Sequence, residues 1–348
     1  MKKKTISVIN YLFFLLIGIL FLWLAFRKVD LQHVWLEIKN ADYFYIGLSI
    51  IAALISHLFR ALRWNILINS MGYKTKTSTT FYAVMIGYLA NSAVPRLGEV
   101  SRCGVLSKKD KIPFTSLFGT VIAERVFDMI VLLTIILMVV LLQYRLVGGF
   151  FDRNIVEPLF SNVESNLLPI IIVSFLVALA IIGIIFLVRM YKGRIIKTPI
   201  MLRFRKFMSG ILEGIRTILR IDQKGIFLFY TLVIWGMYSL MIYLPFFALQ
   251  DTSGLDYGDA ITVMAIGSLG IVAPVPGGIG TYHFITKATL FELYGVNPDA
   301  ATSFATITHA AQQIMILLVG ALSFLLIILQ KRRMADGNAE LHQVENTK

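Results

Sequence analysis

Arg96, Glu99 and Arg102 stand in a strongly apolar stretch, within NSAVPRLGEVSR at residues 91–102. An ionisable side chain inside a membrane segment is costly and faces protein, water or substrate. Arginine grips a phosphate through two parallel charge-assisted hydrogen bonds, while a carboxylate at Glu99 can hold a guanidinium in place or exchange a proton. The competing reading is an internal ion pair that fastens the segment. Glu124, Arg125 and Asp128 follow in ERVFD, where helical spacing sets Glu124 and Asp128 four residues apart on one face. Two close carboxylates can trap a proton, as a gradient-driven antiporter requires. Alternatively, they pair with arginines of neighbouring helices.

A second polar group lies in APVPGGIGTYHF, residues 273–284, with Pro276, Gly277, Gly278, Gly280 and His283. Lys287 nearby can add charge to a cavity. His309, Gln312 and Gln313 interrupt the last apolar run, where hydrogen bonds between helices are the expected role. Arg60, Arg63 and Trp64, in RALRW, read as snorkelling anchors and an interfacial tryptophan closing a span at its cytoplasmic end. The Gly277–Gly280 run lacks the lysine and hydroxyl residue that complete a phosphate-binding loop, so no nucleotide cofactor is expected. Neither a metal-ligand spacing nor a nucleophile, base and orienting acid can be assembled, which argues against an enzyme. The lone cysteine, Cys103, excludes an intrachain disulfide.

The elements that must position these residues are membrane helices. Of 348 residues, 57% are hydrophobic and 15% charged, and the mean hydropathy is +0.76. No ordinary soluble domain of that length has this composition. The formal net charge of +13 sits beside apolar segments. Cytoplasmic loops enriched in lysine and arginine explain it better than nucleic acid does. Met1–Lys4 and the following apolar run resemble a signal peptide, but no small-residue cleavage site precedes Arg27, so an uncleaved first span is expected.

Runs of about 20 apolar residues, long enough to cross, lie near 8–26, 43–62, 117–142, 168–188, 226–249 and 300–329. Two further stretches, 79–106 and 259–294, are broken by the Pro and Gly motifs. Broken backbone is tolerated at membrane depth only inside protein or beside a wet cavity. Lys74, Lys76, Lys108, Lys109 and Lys111 flank the first stretch, and no lysine or arginine flanks the second. The expected fold is therefore all-α, a polytopic membrane protein with six crossings and two oppositely oriented re-entrant hairpins. An inverted repeat follows, with its breaks facing each other at a polar site near the midplane. Full crossing by both hairpins is the alternative. The basic connection 189–224, amphipathic over 201–219, is expected in the cytoplasm, as are both termini. Residues 1–330 form the membrane domain and 331–348 a polar, disordered tail.

With RALRW, NSAVPRLGEVSR, ERVFD and APVPGGIGTYHF in this order, the chain resembles the lysylphosphatidylglycerol synthase transmembrane-region family, or flippase-like domain proteins, over nearly its whole length. The resemblance implies a lipid translocase of a bacterial inner membrane without the aminoacyl-transfer domain found in two-part members. It also implies a site at Asn91, Pro95, Arg96, Gly98, Glu99, Arg102, Glu124, Arg125, Asp128, Pro276, Gly277, Gly278 and Gly280. His283 stands where relatives often carry glutamate. The implied partner is a lipid with a phosphate headgroup, aminoacylated or linked to polyprenyl phosphate, and a separate synthase or glycosyltransferase. A proton-coupled transporter of a small anion and a non-transporting partner of such an enzyme are the other readings.

Overall fold

A computed structural model describes residues 2–27, 29–143, 221–272 and 275–346. Among them the regular structure is helical. The helices are α1 (Lys2–Phe26), α2 (Leu31–Asn40), α3 (Tyr43–Asn69), α4 (Thr77–Ala93), α5 (Leu97–Asp110), α6 (Phe114–Leu142), α7 (Lys224–Phe246), α8 (Tyr257–Val272), α9 (Thr281–Tyr294) and α10 (Pro298–Asn346). Among the described residues four stretches are long and apolar enough to cross a membrane: α3, α6, α7 and α10 as far as Gln330. A fifth arises only if α1 and α2, which meet at 88°, count as one bent span. The expected crossing at 168–188 and the amphipathic segment at 201–219 lie outside the described residues.

Local chemistry sets several boundaries. Asp30 and Asp42 cap α2 and α3, their carboxylates accepting from the Gln32 and His33 amides and from the Phe44 amide. Such caps satisfy amides that have no partner within the helix. α3 runs seven residues past the expected end at Leu62. Arg63 had marked the membrane edge in the sequence, yet its side chain is fully buried and continues the helix. α2 was not foreseen at all.

Two apolar cores hold opposite ends of the bundle. One gathers Ile46, Phe246, Val263, Leu290 and Phe304 from α3, α7, α8, α9 and α10, with Leu249 from the connection after α7. The other gathers Trp64, Leu67, Leu106, Leu117 and Phe227 from α3, α5, α6 and α7. At the second end the Thr75 hydroxyl donates to Asp110, and the Lys109 ammonium donates to the Gln330 side chain. The start of α4 and the finish of α5 are therefore neighbours. At the first end, Thr262 and Tyr294 both donate to Gln143 Oε1, at 2.9 and 3.2 Å. The start of α8 and the finish of α9 are neighbours there, beside the end of α6.

Each hairpin turns where glycine is required. A Cβ on Gly98 would lie 2.2 Å from the Gly87 carbonyl oxygen, so only glycine allows α4 and α5 this approach. Gly280 has φ +85°, and a Cβ there would stand 2.0 Å from the Gly18 carbonyl oxygen of α1. Such close backbone contact and positive φ are what glycine supplies.

Candidate functional site

The side chains of RALRW point inward. Arg60, Arg63 and Trp64 on α3 are 3%, 0% and 0% exposed, so the reading of snorkelling anchors is corrected. Their partners come from ERVFD on α6. Arg60 Nη2 donates to Asp128 Oδ2 at 3.1 Å and to the Tyr238 hydroxyl at 2.9 Å, while its Nη1 lies 3.2 Å from Glu124 Oε1. Arg63 donates to Glu124 Oε1 at 3.3 Å and to Thr231 Oγ1 at 3.1 Å, and lies 2.7 Å from Asp128 Oδ1. Arg102, on α5, donates to Glu124 Oε2 at 3.1 Å.

Packing fixes these groups from behind. The Arg102 guanidinium lies 4.7 Å from the Trp64 ring centroid, and Trp64 Nε1 donates to Thr120 Oγ1 at 2.9 Å. Arg63 lies over Phe227 at 5.5 Å. Cation–π contact of this kind strengthens once the cation leaves water.

Three buried guanidinium groups therefore face two buried carboxylates. Several of their donors are unused: the Nε atoms of Arg60, Arg63 and Arg102, and Nη2 of Arg102, make no hydrogen bond. Beside Arg102 a cleft of about 10 Å³ is lined by Gly87, Tyr88, Asn91, Gly98, Arg102 and Arg125. That is room for about one water molecule. At its edge Arg125 Nε is 3.4 Å from Glu99 Oε1.

The remaining expected residues divide clearly. Asn91 Oδ1 accepts from the Gly98 amide at 2.6 Å and so fastens the first break. Arg96 is exposed at the hairpin tip in a left-handed backbone conformation, φ 63°, following Pro95, and does not join Arg102. The structure therefore does not bring Arg96 and Arg102 into one site: Arg96 is the N-cap of α5 at the exposed tip, and Arg102 lies buried within that helix. At the second break, the Gly277 carbonyl accepts from Gln313 Nε2 at 3.1 Å and lies 2.9 Å from His309 Nε2. Pro276 and Gly278 are buried there. His283 Nδ1 accepts from the Gly280 amide at 3.3 Å and caps α9. Lys287 donates to the Ala25 carbonyl at 2.6 Å, satisfying the end of α1 instead of charging a cavity.

Gln313 joins the two breaks. Its Oε1 accepts from Ser92 Oγ, at the end of α4, at 2.9 Å, while its Nε2 reaches Gly277. The sequence pointed to polar contacts on α10 but not to this bridge. Tyr238, Thr231 and Thr120 were also missed, since single polar residues in apolar runs carry no pattern. Arg60 and Arg63 had a signal: their spacing of three on α3 matches the spacing of four between Glu124 and Asp128 on α6.

A helical bundle with a charged cluster sealed inside apolar helices, and two broken hairpins, defines an integral membrane protein. The chain belongs to the family described as the lysylphosphatidylglycerol synthase transmembrane region, whose model matches residues 11–320. A UPF0104 membrane protein of Methanocaldococcus jannaschii is 23% identical, over 90% of this chain and 94% of its own. A UPF0104 membrane protein of Pyrococcus horikoshii is 24% identical, over 87% and 90%. The glycosyltransferase AglD of Haloferax volcanii is 24% identical over 95% of this chain, which spans 57% of AglD. These relatives are archaeal and do not point to the bacterial membrane expected from the sequence. No solved structure matches the chain.

Proposed function

We propose that this protein is a lipid translocase that moves a lipid with an anionic phosphate headgroup between leaflets. The observation that carries this reading is the excess of one guanidinium over the carboxylates in a buried cluster, with unused donors beside a cleft. A buried charge without a partner is strongly unfavourable. A phosphodiester supplies one negative charge and the acceptor oxygens that Arg102 lacks.

In this reading the two hairpins are re-entrant segments that enter from opposite sides as an inverted repeat, with six crossings and both termini in the cytoplasm; the meeting of the two breaks at Gln313 is what supports pairing the hairpins. Along α10, Gln313 lies 14 residues from Asp299 and 17 from Gln330, about 21 and 26 Å at about 1.5 Å per residue. The bridge between the breaks therefore falls near the middle of a core of about 30 Å. Inverted-repeat transporters place their broken helices and substrate sites at that depth.

The AglD likeness favours lipids carrying a phosphate-linked sugar among the candidate cargoes, and a glycosyltransferase as a partner. The proton-coupled reading has less support, because Glu124 and Asp128 are already shared among three arginines. The test is mass spectrometry of lipids co-purifying with the wild type and with Arg102→Met. Enrichment of one phosphate lipid that the variant loses is expected. Identical bulk lipid in both samples would overturn the headgroup site.

A further inference from the structure

The helix that the sequence did not announce, α2, has three distinct sides. Val34 is buried and Ile38 packs against the apolar core formed with Ala41, Ile46 and Phe304. This side faces protein. Next to it around the helix, one turn apart, Leu31 and Trp35 are 61% and 66% exposed. The remaining arc presents Gln32, Lys39 and Asn40, with Leu36 as its single apolar member. A helix with protein on one flank, apolar residues on the next and polar residues on the third is suited to lie along a bilayer surface.

Its surroundings identify the occupant of the Leu31 and Trp35 edge. α2 leaves α1 at 88°, so it lies along the membrane plane when α1 runs along the normal. The exit of α1 carries Trp23, 59% exposed, with the Arg27 guanidinium 5.3 Å from its ring centroid. The start of α3 adds Tyr43 and Phe44, 53% and 67% exposed, and the Tyr43 hydroxyl donates to the Ile38 carbonyl at 2.7 Å. Exposed tryptophan, tyrosine and arginine at one level of a bundle mark the boundary between headgroups and acyl chains.

We propose that α2 is an interfacial helix whose Leu31 and Trp35 edge rests in the lipid leaflet at the end of the bundle opposite Lys109 and Gln330. Its apolar side chains reach about 5–10 Å into the headgroup and upper acyl region. The shelf also fixes the level of α10, because the Asp30 amide donates to Asp299 Oδ1 at 3.2 Å. This proposal is independent of what the protein transports.

The full chain carrying Cys103→Ala is spin-labelled singly at Leu31→Cys, Trp35→Cys, Gln32→Cys or Lys39→Cys and reconstituted into phosphatidylethanolamine and phosphatidylglycerol vesicles. At 31 and 35, collisions with dissolved oxygen should exceed those with a water-soluble nickel chelate several-fold, and the order should reverse at 32 and 39. Equal behaviour at all four positions would overturn the proposal. Shielding of 31 and 35 from both reagents would also overturn it, and would indicate a second copy or another protein on this edge. A second measurement needs no cysteine: brominated lipids should quench less of the total tryptophan emission in Trp35→Phe than in wild type. An unchanged quenched fraction would count against the shelf.

Discussion

Glu124→Gln and Arg102→Met should differ sharply in cost although both break the same 3.1 Å contact. Glu124 is fully buried and stands within 3.3 Å of a guanidinium nitrogen from each of Arg60, Arg63 and Arg102. Removing its charge leaves Asp128, in contact with Arg60 and Arg63 only, as the one carboxylate against three guanidinium groups. Breaking a buried ion pair on one side costs about 3–5 kcal/mol because a charge is left uncompensated. Arg102→Met instead leaves two cations facing two anions. It orphans one carboxylate oxygen, at about 1–3 kcal/mol, and this is partly offset because the excess positive charge is gone.

The double variant should then be less destabilised than the sum of the singles, since Arg102→Met removes one of the cations that Glu124→Gln leaves uncompensated. Contacting pairs couple by about 0.5–3 kcal/mol in such a cycle. Chemical unfolding in mixed micelles, followed by near-UV circular dichroism, measures all four proteins. Equal costs for the two single variants, or strict additivity in the double, would refute an excess buried cation. The same data would then favour a balanced structural ion cluster and remove the main support for a phosphate site.

Gln313→Leu should keep the fold but loosen the hairpins, raising the alkylation rate of a cysteine engineered at Leu89, which packs against Gly320 of α10, several-fold over the same cysteine with Gln313 intact. Gly280→Ala should cost at least about 1–3 kcal/mol from its positive φ alone, with the clash against Gly18 added. Thermal unfolding should show it as more damaging than Gly119→Ala, where a Cβ meets open space. Burial holds the Glu37 carboxyl above its usual range. Its folded pKa exceeds its unfolded one, so this residue makes stability fall as pH rises between those values. Glu37→Gln should flatten that part of the pH–stability curve and stabilise the protein at neutral pH.

The helices of this fold were legible wherever composition alone decides. A long apolar run has few options in a bilayer, so α3, α6, α7 and α10 could be read from hydropathy. Charge was legible too, but its direction was not. Arg63 looked like the membrane edge because arginine in an apolar helix is expected to reach for water. The carboxylates that neutralise it lie about 60 residues away on α6, and no local pattern reveals such pairing. Arg96 and Arg102 were grouped because both are ionisable residues within one broken apolar stretch. The break at Val94–Arg96 puts one at a tip and the other well inside α5. α2 was missed because ten residues of mixed polarity between two spans read as a loop.

The two broken hairpins and the arginine cluster meet at one place for a physical reason. α4 carries Ser92 towards Gln313 and, about one turn earlier, presents Tyr88 and Gly87 to the cleft beside Arg102. A shift of α4 along or away from α10 must therefore change both the bridge to the second break and the space around Arg102. With the cleft at about 10 Å³, no lipid headgroup fits as the helices now stand. Access requires α4 and α5 to separate from α6 or α10, and Gln313 is the side chain whose amide bonds oppose the second of these motions. Opening of the cation site and release of the other hairpin are then one movement. That coupling is the minimum a carrier needs if it is to expose one site to two leaflets in turn.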